Sequence, residues 1–459
     1  MESCSKVLFK TGEAARLCLG EFAGFNNQIS NVQISSSSCT FGSLFVALKG
    51  EKTDGHKFVF QAIEKGATSI LIDKKHYVEM ANRLRNIAIG IIIVNNTLQG
   101  LQKLAEKYIA QFDMTRIGIT GSCGKTTTKE ILSSILSEKA YTSFTPGNLN
   151  SEIGLALSVF TANSKSRFGV YEMGIDKIGE MDTLNKILKP EVGVLTNIYS
   201  SHLEKFGTVN NLVKEKSKIF KDYPTMRFLY EDCNYKNQIL RLSNNSDFHL
   251  FGINQLTGLT GFENLGLNGW IINYCNRKIH LKVIGWHSLI DAIAAIKVSR
   301  SLGASINDIA QGLEKLDQIN GRSKVYKGQR TIIDDSYNAN YESGYSILDL
   351  VKNLSWNGQK KLVMGSMKEL GYKSEIAHKK LAKKMAEVGA QKIYLYGEEM
   401  KVGYDYLKQV GLKSKVFFTL DFEELEQKII PDLNLGDLFL LKGSRVMRME
   451  RLLPIIENC

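Results

Sequence analysis

The stretch Arg116–Leu136, RIGITGSCGKTTTKEILSSIL, constrains the fold more than any other part of the chain. Its opening, RIGIT, is rich in β-branched residues and suits a strand buried in a parallel sheet. Its closing residues put Ile131, Leu132, Ile135 and Leu136 on one helical face. Two glycines lie between, Gly121 and Gly124. Strand, glycine turn and helix is the setting in which backbone N–H groups close around phosphate oxygens at the positive end of a helix. The commonest spelling of such a loop has a glycine where Ile119 stands; here it comes at Gly121, so the loop is a shorter GxxGKTT turn. Gly121, Ser122, Cys123, Gly124, Lys125, Thr126 and Thr127 are the expected nucleotide cradle. Lys125 reaches the outer phosphates and the Thr126 hydroxyl is placed for Mg²⁺.

A loop of this kind demands α/β architecture, and apolar runs alternating with helical patterns continue on both sides of it. The 459 residues are too many for one core. Three α/β units are expected: 1–96, with SLFVALKG and AIGIIIV as strands; 97–322, built around the phosphate loop; and 323–459, doubly wound, with RTIIDDSY, KKLVMGSM, KIYLYG and DLFLLKG as strands. Glu172 ends the predicted strand of VYEMG, and Asn197 follows that of VGVLTNIYSSHLEKFG with His202 just beyond. The carboxyl edge of a parallel sheet is where ligands collect. A lone carboxylate or histidine there is ordinarily solvated or structural, but the two beside a phosphate loop suggest Mg²⁺ ligation and an ATPase or ATP-dependent ligase.

Charge and cysteines narrow the partners. A net charge of +12, from 59 basic and 47 acidic residues, is spread along helix faces without a Lys/Arg block. That pattern reads as a basic solvated surface, with a polyanionic small substrate the next reading and nucleic acid disfavoured. The seven cysteines are scattered and form no CxxC pair. No apolar run reaches the ~18 residues of a membrane span. A reducing cytoplasm is the expected location, without membrane insertion.

Further stretches, TPGNLNSEIGLALSV, YEMGIDKIGEM, NIYSSHLEKFG, INGR, IDDSYNAN, GSMKELG and LLKGSRVMRMERLL, follow the loop in order. Together they resemble the Mur ligase family over nearly the whole chain. The resemblance implies a small N-terminal UDP-binding domain, a central P-loop ATPase-type domain and a C-terminal Rossmann-like ligase domain. It implies a branch that joins D-alanyl-D-alanine to UDP-N-acetylmuramoyl-tripeptide through an acyl phosphate, using ATP and two Mg²⁺ ions, as a monomer. Thr126, Glu172, His202 and Lys216 are the implied metal ligands, and Lys125, His202 and Lys216 the implied catalytic groups. Lys216 matches a lysine that CO₂ carbamylates, though Lys214 and Lys218 flank it. Asn197, Asp291, Arg322 and Asp335 match nucleotide contacts, with Asp334 the competing carboxylate, one of the two being expected to face inward by strand alternation. Ser35, Ser36, Lys49, Asn148, Asn150, Tyr337, Asn338 and Asn340 match substrate contacts.

The chain departs from the family pattern in several places. WHSLIDAIAA has Ser288 and Asp291 where the family has asparagines, and ISSSSC has Ser35, Ser36 and Ser37 where it has Asp-Ser-Arg. Tyr341 replaces a common proline, and Ser366 a common aspartate. Alternatives are a third-residue-adding ligase, a folylpolyglutamate synthase-like ligase, or a non-catalytic nucleotide-binding relative.

Overall fold

The computed structural model describes residues 7–199, 203–244 and 247–458. Three large sheets follow one another along the chain. The first has five strands in the order Glu21–Gly24, Gly90–Val94, Ala67–Asp73, Ser43–Val46 and Asn31–Gln33, parallel except for the first pair.

The central sheet is wholly parallel, with six strands in the order His249–Phe251, Met226–Tyr230, Val192–Leu195, Thr115–Thr120, Phe168–Glu172 and Thr142–Phe144. The strand that feeds the phosphate loop, Thr115–Thr120, lies between Val192–Leu195 and Phe168–Glu172, so the carboxyl ends of all three meet at one edge. Ile117 and Ile119 of that strand are fully buried, as are Ile131, Leu132, Ile135 and Leu136 of the helix Lys125–Lys139. Against this helix packs Trp286–Ser301, whose run Ala292–Ile296 is buried all round. Its alanines let the two backbones approach closely. A three-stranded antiparallel sheet, Leu259–Asn264, Trp270–Tyr274 and Arg277–Leu281, flanks this unit and had no counterpart in the expectations from sequence.

The third sheet runs Lys324–Lys327, Thr331–Asp335, Leu438–Lys442, Lys360–Gly365, Lys392–Tyr396 and Val416–Thr419, parallel after an antiparallel first strand. The helix Thr97–Ile109 joins the first two units. Its Leu101 and Leu104 share one core with Leu71 and Ile92 of the first sheet and with Leu155 and Leu184 beside the second. Among the described residues no helix is long and apolar enough to cross a membrane.

Candidate active site

The phosphate loop needs both glycines. Gly124 has φ +81°, in the left-handed region, and a Cβ there would lie 2.2 Å from Asp291 Oδ1. Gly121 has φ +152°, and a Cβ would lie 1.9 Å from Thr196 Oγ1. The neighbouring strand end braces the turn: Ser122 N donates to Asn197 O at 2.9 Å and Cys123 N to Asn197 Oδ1 at 3.1 Å. Asn197 therefore fixes the loop's shape through both its backbone and its amide oxygen.

Two lysines converge on one carbonyl. Lys125 Nζ donates to Gly121 O at 2.9 Å, and Lys216 Nζ, 95 residues further along, donates to the same oxygen at 3.2 Å. Lys216 is 1% exposed. Burial, reinforced by the charge of Lys125, brings its pKa down from 10.5 to about 7. Of the three lysines in that segment, it is Lys216 that the helix Val209–Ser217 aims inward; Lys214 is exposed and Lys218 pairs with Asp182 and Glu215.

Thr126 Oγ1 donates to Glu172 Oε2 at 2.9 Å, and Asn150 Nδ2 donates to Glu172 Oε1 at 2.7 Å. Hydroxyl and carboxylate are the hard oxygen ligands that Mg²⁺ takes. Asn150 belongs to a turn held by Lys129, a fully buried lysine that donates to Thr145 O at 2.9 Å and Gly147 O at 3.2 Å. His202 lies outside the described residues.

The C-terminal unit closes directly on this loop. Arg322 Nη2 donates to Thr126 Oγ1 at 3.4 Å while its guanidinium lies 3.9 Å from the Tyr337 ring centroid. Asn340 Nδ2 donates to Cys123 Sγ at 2.7 Å, and its Oδ1 caps the helix Tyr341–Asn353 through Ser343 N. Strand alternation predicts one inward carboxylate of Asp334 and Asp335; both are in fact buried. Both faces of this sheet are covered, Ile332 and Ile333 lying in separate cores, so alternation buries each carboxylate on its own face and brings Asp335 to the phosphate cleft. Asp334 turns onto Ser336 N at 3.1 Å, and Asp335 accepts from Ser323 N at 3.1 Å and Lys442 Nζ at 2.5 Å.

Lys442 went unnoticed in the sequence, although it ends the apolar run LFLLK at the ligand edge of a parallel strand. With Lys125, Thr126, Arg322, Asp335 and Asn338 it lines the cleft over the phosphate loop. Asp291 lines an adjoining cavity with Gly124, Tyr230 and His287. Its Oδ2 is buried without a hydrogen-bond partner among the described residues, and burial raises its carboxyl pKa well above the usual range against the pull of Arg322 and Lys125. Asn148 and Tyr337 face a third cavity together with exposed Asn338. Ser35, Ser36 and Lys49 stay on the N-terminal unit. Ser35 Oγ is 2.9 Å from Ser37 Oγ, Ser36 donates to Gln61 Oε1 at 2.7 Å, and Lys49 forms a backbone bridge with Asp54.

Fold and site together define a three-unit α/β nucleotide-binding protein whose phosphate loop is completed by cations from a second domain. The Mur ligase middle domain matches residues 119–299, the glutamate ligase domain 321–445 and the family catalytic domain 28–109. The chain is 34% identical to a UDP-N-acetylmuramoyl-tripeptide–D-alanyl-D-alanine ligase of Treponema pallidum, covering 100% of this chain and 98% of that one. A crystal structure of MurF from Acinetobacter baumannii superposes with TM-score 0.86 at 27% identity, over 98% of this chain and 99% of that one. MurF ligase from Thermotoga maritima in complex with ADP gives TM-score 0.75 at 28% identity, over 93% and 97%. The chain belongs to the Mur ligase family.

Proposed function

We propose that this protein is an ATP-dependent amide ligase that adds D-alanyl-D-alanine to UDP-N-acetylmuramoyl-tripeptide, a cytoplasmic step of peptidoglycan precursor synthesis that it performs as a monomer. One observation carries the reading: Lys125, Lys216 and Arg322, from three separate segments, converge on a loop whose Thr126 hydroxyl is oriented by Glu172. Activating a peptide carboxylate with a triphosphate brings anions together, and such a constellation neutralises them.

The backbone N–H groups of Gly121–Thr127 take the phosphates, and Lys125 and Arg322 offset the charge that develops on the transferred group. Thr126 and Glu172 hold Mg²⁺, which when bound polarises phosphoryl oxygens; His202 is assigned to a second ion. With a pKa of about 7, a substantial share of Lys216 is the neutral amine near neutral pH. That is the species that attacks CO₂, forming a carbamate with loss of one proton. The carbamate would replace the neutral amine with an anion able to support a metal ion. Asp291, protonated, offers the nucleotide base both a donor and an acceptor. Asp335 accepts from ribose hydroxyls beside Lys442.

Residues 1–96 hold the UDP end through Ser35, Ser36 and Lys49. Residues 97–322 hold ATP and, through Asn148 and Asn150, the peptide end. Residues 323–459 supply Arg322's neighbours and present the incoming amine to the acyl phosphate by way of Tyr337, Asn338 and Asn340. Phosphate release measured with each substrate omitted in turn tests this. Release that needs ATP, UDP-tripeptide and D-alanyl-D-alanine together supports it. Release with diaminopimelate, lysine or glutamate in place of the dipeptide, or ATP binding without turnover, contradicts it.

A further inference from the structure

Among the described residues one group of histidines and carboxylates brings three metal-ligand atoms within 4.8 Å of one another: Asp54, His56 and His76. It stands at the carboxyl edge of the first sheet, whereas Glu172 stands at that edge of the central one. Two caps build it. Asp73 ends the strand Ala67–Asp73 and caps the helix Lys74–Leu84 by accepting from His76 N at 2.9 Å. Asp54 caps the short turn Gly55–Phe58 by accepting from His56 N at 3.0 Å. Each aspartate thus carries a histidine two or three residues on, and the two imidazoles stack with centroids 3.8 Å apart. Neither aspartate has a Lys or Arg partner among the described residues; their ion-pair contacts are with the two histidines.

Hydrogen bonds assign the protons. His56 Nδ1 lies 2.7 Å from Asp54 Oδ1 and its Nε2 accepts from Asp73 N at 3.2 Å, so Nδ1 carries the hydrogen. His76 Nδ1 lies 2.8 Å from Asp73 Oδ1 and carries its hydrogen there. Its Nε2 is left facing Asp54 Oδ2 at 3.7 Å, too far for a hydrogen bond. In the neutral ring one lone pair then stands opposite another. Two metal–ligand bonds of about 2.1 Å meeting at a tetrahedral angle span about 3.4 Å, close to that gap. A metal-bound imidazole is ordinarily oriented by a carboxylate on its far nitrogen. Asp73 already does this for His76, and its Oδ2 lies 3.5 Å from His56 Nε2.

We infer that Asp54, His56 and His76 form a site for a divalent transition metal, with Zn²⁺ the ion its donors favour and Asp73 orienting both rings. Two imidazole nitrogens and one carboxylate oxygen suit Zn²⁺ rather than Mg²⁺, which takes oxygen ligands. On binding, His56 gives up its Nδ1 proton to solvent and takes one up at Nε2, which donates it to Asp73 Oδ2. The side chains of Asp54 and His76 are each 21% exposed, which leaves the ion an entry and a fourth position for water. Gly55 N donates to Leu48 O at 2.8 Å and Lys49 forms its backbone bridge with Asp54, so the ion ties the segment that holds Lys49 to the end of the strand Ala67–Asp73.

Titration calorimetry of the EDTA-stripped full-length protein with Zn²⁺, in excess Mg²⁺, tests this beside the variants His76→Gln, Asp73→Asn and Asp54→Asn. The parent is expected to bind one Zn²⁺ per chain under those conditions and to melt at a higher temperature with it. Asp73→Asn should weaken Zn²⁺ binding by about 10- to 100-fold, and His76→Gln by at least as much. Co²⁺ in place of Zn²⁺ should give a spectrum without a thiolate charge-transfer band. A parent that takes up no Zn²⁺, a thiolate band on the bound Co²⁺, or a His76→Gln chain that binds Zn²⁺ as tightly as the parent overturns the inference. Should metal-free His76→Gln melt well below the metal-free parent, the comparison passes to Asp54→Asn, which keeps an oxygen to accept from His56 N; undiminished Zn²⁺ binding there overturns it equally.

Discussion

Replacing Lys216 with Met should make the protein more stable and at the same time useless. A lysine whose pKa falls from 10.5 to about 7 on folding binds its proton more tightly when unfolded. Above pH 10.5 the amine is neutral in both states and burial carries no charge penalty. As the pH falls from there to 7 the unfolded chain takes up a proton that the folded chain refuses, and stability drops by about 1.4 kcal/mol per pH unit. Below pH 7 the penalty is complete, at roughly 5 kcal/mol. Methionine has similar length and flexibility and no charge. Its cost is the hydrogen bond to Gly121 O, about 1 kcal/mol, and that oxygen keeps its bond from Lys125. The expected net gain is therefore about 3–4 kcal/mol at pH 7 and close to nothing at pH 10. Urea denaturation of both chains at the two pH values, in metal-free buffer depleted of CO₂, measures it. Added bicarbonate should stabilise the lysine chain and leave the Met chain unchanged, while ligation is lost in the Met chain. A Met variant less stable at pH 7, or equally stabilised at pH 7 and 10, refutes the reasoning.

Asp291 has its folded pKa raised, so its contribution is fully present below the unfolded value near 3.8 and is lost as the pH rises through the folded value. Asp291→Asn should therefore match the parent at pH 4 and become progressively more stable towards pH 8 in thermal melts; a pH-independent difference speaks against a buried neutral acid. Gly124→Ala should lose about 1–2 kcal/mol for the left-handed backbone and more for the clash with Asp291. In urea titrations the Gly124→Ala/Asp291→Ala pair should recover the clash and not the backbone part; strict additivity would contradict the geometry. Glu172→Gln keeps an acceptor for Thr126 but loses the anion, so half-maximal ligation should need at least about tenfold more Mg²⁺. An unchanged Mg²⁺ requirement removes Glu172 from the metal site.

The parts of the site that were legible in sequence are local. Strand, turn and helix around Gly121–Thr127 announce themselves within 21 residues because periodicity and glycine spacing act over that range. What escaped depends on distant partners. Asp335 and Lys442 meet across 107 positions, and no pattern near either residue points to the other. Alternation separates Asp334 from Asp335, but which of the two meets the cleft is set by the pairing of Asp335 with Lys442 on the neighbouring strand. Asn197 looked like a ligand contact at a strand end, and the structure shows what else an asparagine does there: it holds the neighbouring loop in shape. The choice among Lys214, Lys216 and Lys218 was open because a helix of lysines has no sequence mark for its inward face; packing against Gly121 supplies it.

Single-turnover ligation by Lys125→Ala tests the central claim most directly, because Lys125 stands in the phosphate loop and its side chain bonds Gly121 O rather than Thr126 or Glu172. The account predicts a fall in the rate of D-alanyl-D-alanine incorporation of about 100-fold or more, the cost of losing one charge-stabilising donor, with the unfolding midpoint little changed. A variant that joins the dipeptide as fast as the parent would contradict it.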